Sequence, residues 1–143
     1  SHLMLKAQEG ETVMLEEDKE YEAEFMFCED AEIAQRGTMT KLKNGCELLQ
    51  SKPYSETGNA YKFYIKKPYR GEFRYGKITI RTENANYLGI WINNGCFKGM
   101  YNVAAEFCTG AYDTPGAAEA NGANVTIPAG ETLKWKLFLS VHK

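Results

Sequence analysis

The chain has 143 residues, 43% of them hydrophobic and 25% charged. That is enough for one domain with a real core, and no composition shift marks a second. The formal net charge of −2 argues against a dedicated nucleic-acid surface, and no apolar run is long enough to span a bilayer.

Taken in chain order, the sequence reads as a succession of short strands with period two. Thr12–Leu15 is a first short strand after the Glu9-Gly10 turn. Glu20–Phe27 alternates, with Tyr21, Ala23, Phe25 and Phe27 on one face and Glu20, Glu22 and Glu24 on a solvated one. The stretch from Asp30 to Gly58 has no clear period. It reads as a long excursion over one sheet edge, with a short helix at Glu29–Arg36 and a single turn at Glu47–Ser51. Ala60–Lys66 turns Tyr61, Phe63 and Ile65 inward and Lys62, Tyr64 and Lys66 outward, and Phe73–Tyr75 and Lys77–Arg81 follow as further strands. Tyr87–Asn93 puts Leu88, Ile90 and Ile92 on one face and Tyr87, Gly89, Trp91 and Asn93 on the other, and Asn94-Gly95 then allows a turn. Met100–Cys108 carries Asn102, Ala104, Glu106 and Cys108 on one face. A loop with one helical turn at Gly116–Ala120 leads to a short strand at Val125–Ile127. In the closing strand Leu133, Trp135, Leu137, Leu139 and Val141 share one apolar face and are expected in the core. Eight to ten strands joined by short turns predict an all-β fold, an antiparallel β-sandwich.

The chemistry is narrow. There is no phosphate loop, no nucleophile elbow and no His/Cys ligand cluster, so neither a metal nor a cofactor is called for. Cys28, Cys46, Cys96 and Cys108 match neither a zinc site nor a CxxC motif; reduced thiols in a reducing, cytoplasmic compartment are favoured over two disulfides. Basic residues interleave with aromatics between Tyr61 and Arg74, but Tyr61 and Phe63 belong to the core face, which disfavours base stacking. What remains is the face bearing Trp91, Asn93, Asn102 and Glu106. An aromatic ring for the C–H surface of a sugar, beside amide and carboxylate groups for its hydroxyls, is a general carbohydrate-binding signal. Glu106 is the one charge between Lys98 and Asp113 and needs a partner, a proton or a task. As a plain structural acid it would pair with Arg81 or Lys98.

The segment YLGIWINNGCFKGMYNVAAEFCTGAYD, Tyr87 to Asp113, resembles the C-terminal motif of the galactose mutarotase-like, or aldose 1-epimerase-like, proteins. AYKFYIKKPYRG at Ala60–Gly71, the Pro-Ala-Gly-Glu turn before Trp135 and the Leu5–Glu16 strand resemble flanking parts of the same fold. The resemblance implies part of a β-supersandwich, corresponding to the C-terminal half of longer family members. It also implies an isomerase that interconverts the anomers of a monosaccharide or sugar derivative by opening and closing the ring. In that family a glutamate takes the proton of the anomeric hydroxyl and a histidine protonates the ring oxygen. Glu106 matches the glutamate. His2 is either the end of the family's histidine motif or a residue left from an expression tag, as residues 1–4 otherwise read, with 5–143 as the single domain. Trp91, Asn93, Asn102 and Asp113 are the expected substrate-binding residues. Phe107 departs from the family's proline after the glutamate. Half a supersandwich leaves sheet edges open, which points to a homodimer. The alternative is a non-catalytic carbohydrate-binding domain or an inactive fragment of a longer enzyme.

Overall fold

The computed structural model describes residues 2–16, 19–28, 34–56 and 58–143, and of residues 34–36 the backbone alone. Among them nine strands form two sheets. The strands are β1 (His2–Lys6), β2 (Tyr21–Cys28), β3 (Ala34–Leu42), β4 (Asn59–Ile65), β5 (Phe73–Tyr75), β6 (Ile78–Glu83), β7 (Tyr87–Asn94), β8 (Tyr101–Cys108) and β9 (Lys136–Val141); the helix α1 is Pro115–Ala120. The larger sheet runs β1-β8-β7-β4-β2-β3 and the smaller β5-β6-β9. Every strand pairing within them is antiparallel, so the chain is an all-β antiparallel sandwich.

The alternation read from the sequence fixes which side of the larger sheet meets the core. Val103, Ala105 and Phe107 of β8, Leu88, Ile90 and Ile92 of β7, and Phe63 and Ile65 of β4 are all buried, as are Phe73, Tyr75 and Ile80 of the smaller sheet. They belong to one continuous hydrophobic cluster. Tyr69 is pinned inside it: its hydroxyl accepts from the Glu16 amide at 3.1 Å and donates to the Glu72 carbonyl at 2.6 Å. A buried phenol is satisfied in this way while holding two loop segments together, and burial raises its pKa.

Several expectations are corrected. The aperiodic stretch contributes a strand, β3, paired along β2, where a helix reaching Arg36 was expected; residues 29–33 lie outside the described residues. The single turn is a 3-10 turn at Glu47–Leu49. Thr12 and Met14 make only isolated bridges, to Gln50 and Arg74, and 125–127 is not a strand. The largest departure is β9. Of its expected core face, Leu137 packs against the core cluster, but Trp135, Leu139 and Val141 are 45%, 46% and 67% exposed, on an edge strand of the three-stranded sheet. Alternation identifies an apolar face; it does not supply the layer that covers it. The sheet also begins at His2 rather than at residue 5, since residues 2–4 pair with Glu106, Ala105 and Ala104.

Candidate functional site

The outward face of the larger sheet is built from rows of residues that stand opposite one another across strands. One row runs His2 on β1, Glu106 on β8, Gly89 on β7, Tyr64 on β4 and Glu24 on β2. The next runs Met4, Ala104, Trp91, Lys62 and Met26, and a third Lys6, Asn102, Asn93, Ala60 and Cys28. The candidate site is the first row, completed by Lys62 from the second.

Glu106 is only 7% exposed, and so is Lys62. The Lys62 ammonium donates to Glu106 Oε2, and His2 Nε2 lies 3.2 Å from the same oxygen. Lys62 reaches Glu106 diagonally across Gly89. A Cβ placed on Gly89 would lie 3.4 Å from both Glu106 Cβ and Oε2, so a larger side chain there would fill the crossing. The buried carboxylate is thus compensated by a buried cation, the condition under which a charge persists inside a protein. Lys62 Nζ also lies 5.3 Å from the centre of the Tyr64 ring, a cation–π distance.

On the other side of Gly89 the Tyr64 hydroxyl donates to Asp113 Oδ1. Asp113 belongs to a loop that folds back over the sheet. The Ala111 amide donates to the Ala123 carbonyl at 2.9 Å, and Tyr87, Ala111 and Ala123 form a small apolar cluster beneath. Thr114 caps α1, its hydroxyl oxygen accepting from the Ala117 amide at 3.2 Å. Between cluster and cap, Tyr112 is held at φ 70°, a left-handed conformation that costs a non-glycine residue on the order of 1–2 kcal/mol. Its hydroxyl is buried near the Glu24 carboxylate but makes no well-aligned hydrogen bond. Burial, reinforced by the nearby Glu24 carboxylate, pushes its pKa up to about 12.

The result is a recess of about 150 Å³ lined by His2, Tyr64, Gly89, Glu106, Cys108 and the 110–113 loop. A second recess of about 110 Å³ adjoins it, sharing Tyr64, Tyr112 and Asp113 and adding Glu24, Phe25 and Met26. Of the residues expected from sequence, Glu106, His2 and Asp113 meet at the first recess. Trp91 is one row away and half-buried, its indole N–H donating to Asn102 Oδ1 at 3.0 Å and its ring 5.2 Å from that of Phe97. Asn93 and Asn102 are not in the recess. They stand two rows off, about 14 Å along the strand at the ordinary rise per residue, too far for one monosaccharide to touch them and Glu106 together.

Asn93 instead holds the β7–β8 turn. It is 1% exposed; its Oδ1 accepts from the Phe97 amide at 3.2 Å and its Nδ2 donates to the Phe97 carbonyl at 3.3 Å. Asn93→Ala takes the acceptor from the Phe97 amide, while the Phe97 carbonyl keeps the Met100 amide as a donor at 3.1 Å, and it is expected to destabilise the fold by about 1–2 kcal/mol while leaving chemistry at Glu106 intact. Paired thermal melts and activity assays check both halves of this expectation.

The expected structural partners of Glu106 are also corrected. Arg81 lies on the smaller sheet, 3.9 Å from Glu83 and over the Phe138 ring, and the ion partner of Glu106 is Lys62. The alternation places Lys62 only as facing outward. The signal that could have found it is Gly89, a gap in the middle of an otherwise filled row. No group of three or more His, Cys, Asp or Glu among the described residues is arranged to hold a metal ion, and among them no helix is long and apolar enough to cross a membrane.

The fold and this recess define the class: an antiparallel β-sandwich with a buried, cation-compensated carboxylate on its outward face. Comparisons with protein-family models, curated proteins and solved structures return no match.

Proposed function

We propose that the recess is a carbohydrate site at which Glu106 and His2 interconvert sugar anomers, as in an aldose 1-epimerase. The observation that carries the reading is the placement of Glu106 and His2 as direct cross-strand neighbours, with Nε2 and Oε2 3.2 Å apart, at the rim of a recess of about 150 Å³. Ring opening needs a base at the anomeric hydroxyl and an acid at the ring oxygen, and both oxygens are bonded to one carbon. Base and acid must therefore stand side by side. Glu106 takes the hydroxyl proton, and His2 delivers one to the ring oxygen as the carbon–oxygen bond breaks. Closing after rotation about the C1–C2 bond reverses both transfers. Lys62 balances the Glu106 charge and fixes its orientation, while Asp113 and the Tyr64 hydroxyl form the opposite wall, suited to sugar hydroxyls.

Nuclear magnetic resonance exchange between the α and β signals of an aldohexose tests this directly. The chain is expected to speed exchange over buffer. His2→Ala is expected to slow that exchange at least about tenfold with little change in stability, since its side chain is 64% exposed. Absence of any acceleration by the unaltered chain would sink the enzymatic reading.

A second reading, a carbohydrate-binding domain without turnover, is favoured by the Lys62 contact, which would also suit a carboxylate whose role is structural. It predicts saturable sugar binding that survives Glu106→Gln and weakens with Trp91→Ala. The isomerase reading predicts that Glu106→Gln ends catalysis.

A further inference from the structure

The third row of the outward face ends on Cys28, the last residue of β2. Cys96 lies in the β7–β8 turn, between Gly95 and Phe97. The two are 68 positions apart in sequence, yet their sulfurs stand 3.4 Å from one another. Three features bring them there. Ala60, which separates Cys28 from Asn93 in the row, is a small residue, 1% exposed. Asn59 and Gly95 form a parallel bridge that draws the turn onto the start of β4. The Asn93 clamp on Phe97 then fixes the peptide that follows Cys96.

We propose that Cys28 and Cys96 are a redox pair that peroxide closes to an intramolecular disulfide. The pairing stands apart from the sugar reading. Cys96 is half-buried and Cys28 is 4% exposed, so oxidant meets Cys96 first. The Cys96 thiolate attacks one peroxide oxygen and the O–O bond breaks, giving the sulfenic acid and hydroxide, which takes up a proton to become water. The Cys28 thiolate then attacks the Cys96 sulfur, the S–S bond forms, and the sulfenic oxygen leaves as a second water. Two thiols and one hydrogen peroxide yield one disulfide and two waters. Closure to a bond of about 2.05 Å moves the sulfurs together by less than the width of an atom. The turn can give by that amount, since Gly95, Lys98 and Gly99 all sit at positive φ, at 84°, 54° and 62°.

The other two cysteines compete poorly. Cys108 gives its S–H to the Glu106 carbonyl at 3.4 Å, and burial raises its pKa, keeping it a thiol rather than a thiolate. Cys46 precedes the 3-10 turn at Glu47–Leu49 and packs against the core cluster.

The test treats the full chain and a Cys46→Ser/Cys108→Ser variant, which keeps only this pair, with dilute hydrogen peroxide. Peptide mass spectrometry and thermal melts follow. Both proteins are expected to lose two thiols and give a Cys28–Cys96 linked peptide. Their melting midpoint should rise by on the order of 10 °C, because the bond closes a long loop in the unfolded chain, and dithiothreitol should reverse the shift. Cys96→Ser, a substitution in the turn, should form no intramolecular bridge. Linkage to Cys46 or Cys108 in the unaltered chain, a disulfide-linked dimer, or sulfinic acid at Cys96 without a bridge would each overturn the proposal. So would a bridge that lowers the midpoint.

Discussion

Glu106→Gln is expected to abolish the anomer exchange proposed for the recess and to lower stability by about 3 kcal/mol, and the two losses should separate when Lys62 is changed as well. The single substitution leaves the Lys62 ammonium, 7% exposed, without its ion partner, and a stranded buried charge costs several kcal/mol. Glu106→Gln with Lys62→Met replaces the whole pair by neutral groups of similar size, and is expected to recover most of the stability. Activity is not expected to return, because removing a positioned base costs roughly 10²–10⁴-fold in rate. Denaturant melts and anomer exchange on the single and double variants supply the cycle. If the double variant regained activity, Glu106 would be a structural acid. If the single variant were as stable as the parent, the buried pair would be the wrong account of the site.

Phe63→Ala is expected to cost about 3–5 kcal/mol, the usual range for deleting a fully buried phenyl ring. Phe63 is 0% exposed and sits on β4 between β2 and β7, its ring stacked on that of Phe25 at 5.3 Å. The thermal midpoint should fall by on the order of 10 °C. Leu139→Ala is the informative contrast. Leu139 is as conspicuous in the sequence pattern, but it is 46% exposed, and its loss should cost less than about 1 kcal/mol. Equal losses at the two positions would mean that β9 is covered in solution, as a homodimer through that strand would make it.

These contrasts show what was legible in the chain. Period two located β2, β4, β7 and β8 and the inward face they share, because alternation encodes which side of a strand meets the core, while β3 lay in the stretch without a period. The order of the strands is non-local and lies outside any window of sequence. Lys62 was read correctly as turned away from the core. Its meeting with Glu106 depends on β4 and β8 both flanking β7, and on Gly89 leaving the crossing open. Glu106, His2 and Asp113 were picked out by a resemblance and fall into one recess. Asn93 and Asn102 were picked out by sharing a face with Glu106. A face is several rows long, and residues two rows apart do not share a ligand. Asn93 has the composition of a binding residue and the contacts of a turn clamp, a difference that appears only with the Phe97 peptide in view. The Cys28–Cys96 approach left no trace in cysteine spacing, since it arises where a strand end and a turn meet across β4.

The pairing of β1 with β8 has a consequence for how the protein is made. His2 and Glu106 are cross-strand neighbours, yet the ribosome adds them about a hundred residues apart, roughly 5–20 s at ordinary elongation rates. During that interval β1 has no strand to bond with, and the sheet must assemble from β2 to β7 without it. The row that joins His2 to Glu106 therefore cannot close until β8 has left the exit tunnel and zipped onto β1, and the 110–113 wall of the recess follows later still.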